Sequence, residues 1–167
     1  MRALCSVALL SLLCLALPPT STAQQPRFGA GLQVLGNTVD DNIGPGFRFR
    51  VSAPINQDLS FGIGSAFTGY IFQGREDASY ALDPQASLIV TLPGSGQEAA
   101  YVMGGAGAYV PFGNTNEDAR SGPTFHLGMG KVWLLSESSF FLEFDPALFV
   151  GQERTDVLLP IRAGVIF

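Results

Sequence analysis

Three observations predict an all-β fold, an eight-stranded antiparallel up-and-down β-barrel. Apolar and polar residues alternate over strand-sized segments, and no helical periodicity is found after residue 23. The chain contains 20 glycines and 11 prolines, which disfavour long helices, and glycines recur inside the apolar segments. Short and longer connections alternate along the chain, as expected when neighbouring strands run antiparallel and are joined at the two ends of a barrel in turn.

Residues 1–23 have the composition of a Sec signal peptide. Arg2 gives a positive start, residues 3–17 are apolar, and residues 21–23 (Ser-Thr-Ala) form a small-residue cleavage site. An anchoring helix is disfavoured because the prolines at 18 and 19 end the apolar run before the roughly 20 residues that a spanning helix needs. A lipoprotein signal at Cys14 is disfavoured because Leu13 stands where a small residue is expected. The sequence therefore predicts a barrel domain over residues 24–167.

Composition excludes several classes of function. Both cysteines, Cys5 and Cys14, lie in the predicted signal, so the mature chain has no thiol or disulfide chemistry. The net charge of −5 and the lack of a basic patch argue against a nucleic-acid partner. The sequence contains no metal-ligand cluster, phosphate-binding loop or GxSxG motif, and we expect neither a metal nor another cofactor.

Eight segments of alternating polarity define the predicted strands. They cover residues 27–36, 46–53, 59–72, 80–92, 99–111, 124–135, 139–150 and 156–167. Short turns follow the second, fourth and sixth strands. The connections after the first, third, fifth and seventh tend to be longer and more charged, above all residues 73–79 and 112–122.

The last strand alternates most cleanly. One of its faces is wholly apolar and carries Val157, Leu159, Ile161, Ala163, Val165 and Phe167. Apolar residues at alternate positions counted back from Phe167 resemble the closing strand of bacterial outer-membrane β-barrels. The even strand number and the two classes of connection are typical of that group. A soluble lipocalin-like barrel, with its apolar face inside, is the alternative that periodicity alone leaves open.

At the level of pattern, the whole mature chain resembles the small OmpA-like and OmpX-like barrels of the porin family. The resemblance implies residence in the outer membrane of the Gram-negative cell envelope, with outer-membrane lipid and the barrel assembly machinery as partners. It also implies that Phe167 is an assembly signal. The outer loops are expected to carry any contact with the outside, with a partner that the sequence does not identify.

Four aromatic residues are predicted to lie at the two membrane interfaces. Tyr101 and Tyr109 are eight residues apart on one strand face, and Phe61 and Trp133 lie near strand ends. Lys131 is the exception in this pattern, since it shares a face with Trp133 and with apolar residues of the same strand. Either Lys131 snorkels to the interface or a bulge reverses the strand's faces.

The charged residues of the strands are predicted to face inward. The inward set is Gln33, Arg48, Arg50, Asp83, Gln85, Glu143, Asp145 and Arg162. When the barrel closes, the first, second, seventh and eighth strands are contiguous, so the three arginines can pair with Glu143 and Asp145. Pairing makes charges tolerable in a narrow interior. The network either plugs the barrel or acts as a gate for small ions, and eight strands are too few for a wide pore.

An enzyme is the remaining class, and it is not expected. Lipid A deacylases, which are eight-stranded outer-membrane esterases, carry a His and a Ser two residues apart on one strand with an acid nearby. Here His126 is followed by Leu127 and Gly128, so glycine stands at the position of the nucleophile. Glu143 on the adjacent strand could serve as the acid, but a base and an acid without a nucleophile cannot perform acyl transfer.

The closing-strand resemblance generates one prediction. Deleting Phe167 is expected to lower the yield of folded barrel in cells, because the assembly machinery reads the terminal strand. Refolding of the same variant in detergent should stay close to normal, since the deletion removes one lipid-facing side chain. Heat-modifiable migration in gels measures folded yield in both settings, and unchanged assembly in cells would contradict the prediction.

Overall fold

The computed structural model describes residues 25–38, 42–70, 79–94, 96–113, 121–151 and 155–167. The predicted signal peptide and most of the two long predicted loops, 73–79 and 112–122, lie outside the described residues. In the described part of the chain, no helix is long and apolar enough to cross a membrane.

Nine β-segments form one closed antiparallel sheet. They are β1 (Arg27–Asn37), β2 (Asn42–Pro54), β3 (Leu59–Tyr70), β4 (Ser79–Thr91), β5 (Glu98–Gly113), β6 (Gly122–Leu134), β7 (Ser139–Phe144), β8 (Ala147–Val150) and β9 (Thr155–Ile166). From β1 to β7 each segment pairs with the next one in sequence, and β1 also pairs with β9, which closes the circle. Because β7 and β8 both pair with β6 and β9, they are two halves of one strand. The fold is therefore the predicted eight-stranded barrel.

The strand positions agree with the prediction except at two places. β2 begins at Asn42, four residues earlier than the alternation indicates, because Gly44, Pro45 and Gly46 carry no polarity signal. The seventh strand, predicted to run unbroken over 139–150, is interrupted between Phe144 and Ala147. Pro146 lies in the interruption and has no N–H to give to a neighbouring strand.

The outer and inner faces of the barrel have opposite polarity. Large apolar side chains point outward, with 73% of Leu32, 75% of Leu127 and 55% of Ile161 exposed. The inward positions bury polar and charged side chains instead, namely Gln33, Arg48, Arg50, Thr68, Asp83, Gln85, Ser87, Thr124, His126, Glu143, Asp145 and Arg162. A soluble barrel buries its apolar face, so the lipocalin-like alternative is wrong.

Two apolar layers lie in the lumen, one on each side of the buried polar and charged side chains just named (the polar belt). One contains Leu35, Tyr70, Ala81, Tyr109, Ala147, Phe149 and Leu158, near the ends of the strands that lead into the longer connections (the loop end). The other contains Ile89, Tyr101 and Met103, with Val132 against it, near the short turns (the turn end). At the loop end, the hydroxyls of Tyr70 on β3 and Tyr109 on β5 lie 3.1 Å apart.

Glycines on neighbouring strands make room for the large inward side chains. A Cβ on Gly130, which is opposite Tyr101, would lie 2.3 Å from that ring. Cβ atoms on Gly31 and Gly164 would lie 3.0 and 2.8 Å from the ring of Phe141. The lumen of an eight-stranded barrel is only wide enough for side chains, so each large residue requires a small neighbour.

The prediction that Tyr101 and Tyr109 lie at the membrane interfaces is wrong. Both are inside the barrel, 4% and 8% exposed. The two faces of β5 are both rich in small apolar residues, so alternation does not reveal which face is inward. The inward face is the one whose large side chains lie over glycines of the next strand, as Tyr101 lies over Gly130.

Phe61 and Trp133 do point outward near the turn end. Phe61 is 40% exposed, and Trp133 packs against Phe140 with ring centroids 5.6 Å apart. Lys131 also points outward, because the β5–β6 register is unbroken and contains no bulge. Its ammonium group lies 5.2 Å from the ring centroid of Trp133 and forms an ion pair with Glu98. The bulge interpretation of Lys131 is therefore wrong, and snorkelling to the interface stays a prediction.

A second group of outward aromatic residues lies toward the loop end and was not predicted. Phe67 stacks on Phe47 and on Tyr80, with centroid separations of 5.1 and 5.5 Å. Tyr80 stacks in turn on Phe112 at 5.8 Å. The four residues belong to β2, β3, β4 and β5, so their grouping follows from the register and not from any single strand. Aromatic residues near both strand ends are typical of barrels that span a membrane.

The outward position of Ile161, near the middle of β9, generates a prediction. Ile161→Arg is expected to lower the free energy of unfolding in lipid by about 2–4 kcal/mol, because it places a charge in the hydrocarbon. Thr155→Arg, at the end of the same strand, is the matched control and should cost about 0–1 kcal/mol. Denaturant titration in bilayers measures both, and equal costs would contradict a lipid-facing mid-strand position.

Candidate functional site: the charged lumen

Alternation places the charged side chains of β2, β7 and β9 at one level of the lumen. Arg48 and Arg50 are two residues apart on β2, and Glu143 lies directly opposite Arg162 in the β7–β9 register. The residues opposite Arg48 are Gly31 and Ala66, and those opposite Arg50 are glycines 29 and 64. These small neighbours leave space for the two guanidinium groups to extend across the lumen.

Glu143 is the centre of the network. Its two oxygens accept hydrogen bonds from Arg48, from Arg50 at 2.7 Å, from Arg162 at 3.1 Å and from the Tyr101 hydroxyl at 2.9 Å. The carboxylate side chain has no exposed surface. Four donors on one buried carboxylate offset the loss of its hydration. They also join four strands through a single side chain.

Asp145 and Arg162 form the second half of the network. Arg162 donates to the Asp145 carboxylate and to the Gln33 side-chain oxygen at 3.0 Å. The other terminal nitrogen of Arg162 lies 3.6 Å from Asp83 and 3.4 Å from the Gln85 oxygen. The structure thus brings together all five residues predicted to pair, and it adds Asp83, Gln33 and Gln85 as neighbours.

The charges of this belt are balanced. Among the described residues, three guanidinium groups face the three carboxylates of Asp83, Glu143 and Asp145. Arg50 is also enclosed by aromatic rings, with its guanidinium carbon 5.8 Å from the Tyr101 centroid and 5.6 Å from that of Phe141. A balanced, hydrogen-bonded set of this kind is tolerated in a narrow interior, whereas removing one partner would leave an uncompensated buried charge.

His126 has partners that were not predicted. Its Nδ1 lies 2.8 Å from Asp145, and its Nε2 lies 3.3 Å from the Ser87 hydroxyl. From the sequence, Glu143 is the acid expected near His126. The acid that contacts His126 in the structure is Asp145 instead. Ser87 reaches His126 because Gly105, which lies between them on β5, has no side chain. Only the register could have identified Ser87, since it is 39 residues from His126 in sequence.

The Ser87–His126–Asp145 chain has the residue types of a hydrolytic triad, but it lies in a filled part of the lumen. All three residues are buried, with exposures of 3%, 4% and 0%. Acyl transfer requires a substrate carbonyl about 3 Å from the nucleophile, and a cluster of buried apolar residues lies toward each end of the lumen. A serine at position 128, as in the deacylase pattern, would also collide with Asp145, whose Oδ1 lies 2.6 Å from the Cβ position.

Within the described residues, no group of three or more His, Cys, Asp or Glu side chains could hold a metal ion. Three buried polar atoms of the lumen have no hydrogen-bond partner there: Arg48 Nη2, Asp83 Oδ1 and Thr124 Oγ1. Unpartnered buried atoms of this kind are commonly satisfied by internal water.

The fold is that of solved small outer-membrane barrels. Neisserial surface protein A (NspA) superposes with a TM-score of 0.73 at 11% identity, over 87% of this chain and 98% of that one. The N-terminal β-barrel domain of OprF from Pseudomonas aeruginosa gives a TM-score of 0.53 at 15% identity, over 87% and 100%. The outer membrane enzyme PagL gives 0.53 at 12% identity, over 84% and 98%. No protein-family model matches the sequence, and no curated protein matches it significantly.

The central position of Glu143 generates a prediction. Glu143→Gln should lower the free energy of unfolding by about 3–5 kcal/mol if the belt is dry, and by less if water enters, because three guanidinium groups then face two carboxylates. Combining it with Arg162→Gln should reveal a coupling of about 0.5–3 kcal/mol in a double-mutant cycle.

Glu98→Gln is the matched control for this cycle. Glu98 pairs with Lys131 on the outer surface, where both side chains are about half exposed, and such pairs contribute about 0–1 kcal/mol. Denaturant titration in detergent or bilayers measures all the variants. Strict additivity of the Glu143 and Arg162 substitutions would mean that the two residues do not interact.

Proposed function

We propose that the protein is a non-enzymatic barrel of the bacterial outer membrane, with a plugged, ion-paired lumen and a structural or surface-interaction role. The observation that carries the proposal is the inverted polarity of the barrel. Large apolar side chains cover the outside in a band along the strands, while the inward positions bury three arginines and three carboxylates. A surface of that kind is unstable in water and suited to hydrocarbon.

The dimensions of the strands support residence in a membrane. The seven uninterrupted strands contain 11 to 16 residues, and a tilted strand needs about 9–11 residues to cross the hydrocarbon. Outer-membrane lipid is thus the proposed partner of the outer face. We also propose the barrel assembly machinery as a partner, with Phe167 as its signal. Backbone bonds of 2.7 and 3.1 Å join Phe167 to Phe28 on the first strand.

The filled lumen supports a plug. The polar belt lies between two apolar layers, and hydrophobic constrictions oppose the passage of ions by excluding water. Interaction with the outside would then occur through the loops, because binding residues are often on loops that a rigid scaffold holds in place. The proposed signal peptide, which would direct the chain to the envelope, is consistent with this location.

A narrow gated channel for small ions is the alternative, and one observation favours it. Arg48 Nη2 and Asp83 Oδ1 are buried without partners among the described residues, so the belt contains polar groups that water could occupy. A gate would require the arginines to exchange carboxylate partners and both apolar layers to move. Lipid A modification is a weaker alternative, since Ser87, the nucleophile type that contacts His126 among the described residues, is buried.

Planar-bilayer recording distinguishes the plug from the gate. We expect conductance near zero for the parent protein and for Glu143→Gln, because the apolar layers remain when the belt is perturbed. A gate predicts that Glu143→Gln raises small-ion conductance while the outer-surface control Glu98→Gln does not. Such a rise would refute the plug.

The enzymatic alternative has its own test. The lipid A mass profile of cells that make the protein should equal that of cells that make Ser87→Ala, and that of cells without the protein. Removal of an acyl chain that depends on Ser87 would refute the non-enzymatic assignment.

A further inference from the structure

Strand seven is weakly held to its neighbours at its centre. The registers of β7 and β8 place Asp145 opposite Pro160 of β9, and Pro146 opposite Leu127 of β6. Both pairs are at hydrogen-bonding positions of the ladder, where two opposing residues normally exchange two backbone hydrogen bonds. Here the Asp145 N–H donates to the Pro160 carbonyl at 3.3 Å, and the Leu127 N–H donates to the Pro146 carbonyl at 3.1 Å. Neither proline has an N–H with which to return the bond.

The two missing backbone hydrogen bonds are in the middle of the sheet. Leu127 is the sixth of the 13 residues of β6, and Pro160 is the sixth of the 12 residues of β9. If the barrel spans a membrane, no water is available there to replace a missing backbone bond. One residue pair on each side of strand seven is therefore joined by a single backbone hydrogen bond.

The Asp145 side chain supplies bonds to the same two neighbours. One carboxylate oxygen lies 2.8 Å from Nδ1 of His126, on β6, and the other accepts a hydrogen bond from Arg162, on β9. Gly128 permits this geometry, because a Cβ there would lie 2.6 Å from the carboxylate. Arg162 is itself fixed by Gln33 at 3.0 Å and by Glu143 at 3.1 Å. A single carboxylate thus connects the interrupted strand to both flanking strands.

We propose that residues 144–147 form a lateral latch, a segment that separates locally from β6 and β9 unless the Asp145 carboxylate holds His126 and Arg162. Opening of the latch connects the polar belt sideways with the outside of the barrel wall, and Ala147 is the one latch residue that belongs to an apolar layer. This goes beyond the plugged lumen of the proposed function and does not depend on whether ions pass through it. The role of Asp145 is then to hold backbone together, in addition to balancing the charge of Arg162.

Amide hydrogen exchange of the folded barrel in detergent micelles tests the latch, read residue by residue by NMR. In Asp145→Asn, the amides of Leu127 and of residue 145 should exchange about ten- to a hundredfold faster than in the parent protein, because hydrogen bonds to a charged group are lost on both sides. Amides of the β3–β4 pair, far from the latch, should not change.

Asp83→Asn is the matched control. Asp83 also faces Arg162, at 3.6 Å, and its substitution removes the same charge, but Asp83 lies on β4. Because Asp83 reaches strand seven only through Arg162 and forms no hydrogen bond with it among the described residues, the effect of Asp83→Asn on the amides of Leu127 and Asp145 should stay within about twofold. Equal acceleration by both substitutions would overturn the proposal, because charge imbalance alone would then explain the result.

Restoring the missing donor provides the decisive comparison. Pro160→Ala returns an N–H opposite the Asp145 carbonyl, so it should slow exchange at Asp145 about two- to tenfold in the parent protein. In the double variant Asp145→Asn/Pro160→Ala, the amide of residue 145 should exchange about two- to tenfold more slowly than in Asp145→Asn alone. Pro160→Ala alone still tests the latch if Asp145→Asn does not fold. An unchanged rate in Pro160→Ala would overturn the latch.

Discussion

Closure of the backbone hydrogen-bond ladder is the constraint on which the rest of this structure depends. β1 pairs with β9 from Gly29 and Ile166 to Asn37 and Leu158, so the sheet has no free edge. Hydrocarbon offers no partner for an open edge, and a closed sheet is the only β arrangement that satisfies every strand in a membrane. Closure also divides the side chains into two sets, because successive residues point to opposite faces. An apolar exterior then leaves the charged residues inside.

The narrow interior explains how that inner set is arranged. Large side chains lie over glycines, as Tyr101 lies over Gly130 and Phe141 over Gly31 and Gly164. Charges occupy one level, where Glu143 accepts hydrogen bonds from four donors and Asp145 contacts both Arg162 and His126. The apolar residues that remain fill the lumen above and below. One interruption of the ladder, at Asp145 and Pro146, lies close to Glu143, which accepts four hydrogen bonds across the lumen.

The same architecture is found in NspA, in the OprF barrel domain and in PagL, at sequence identities of 11 to 15%. Because that group includes an enzyme, the fold does not decide the function, which has to be argued from the site. Here the site is a buried, charge-balanced belt. Its Ser87–His126–Asp145 chain has residue types suited to catalysis, and all three side chains are buried.

The sequence by itself determined the strand number and, for most strands, the inward face, because alternation is a local property of the chain. Arg48, Arg50, Glu143, Asp145 and Arg162 could be assigned to one lumen on that basis. Only the tertiary structure decided that Tyr101 and Tyr109 face inward, since both faces of β5 are apolar. Only the tertiary structure showed that Ser87 contacts His126 across Gly105, and that Asp145 contacts both His126 and Arg162. These contacts depend on the register between strands, which is fixed by packing across the lumen and leaves no periodic signal in any one strand.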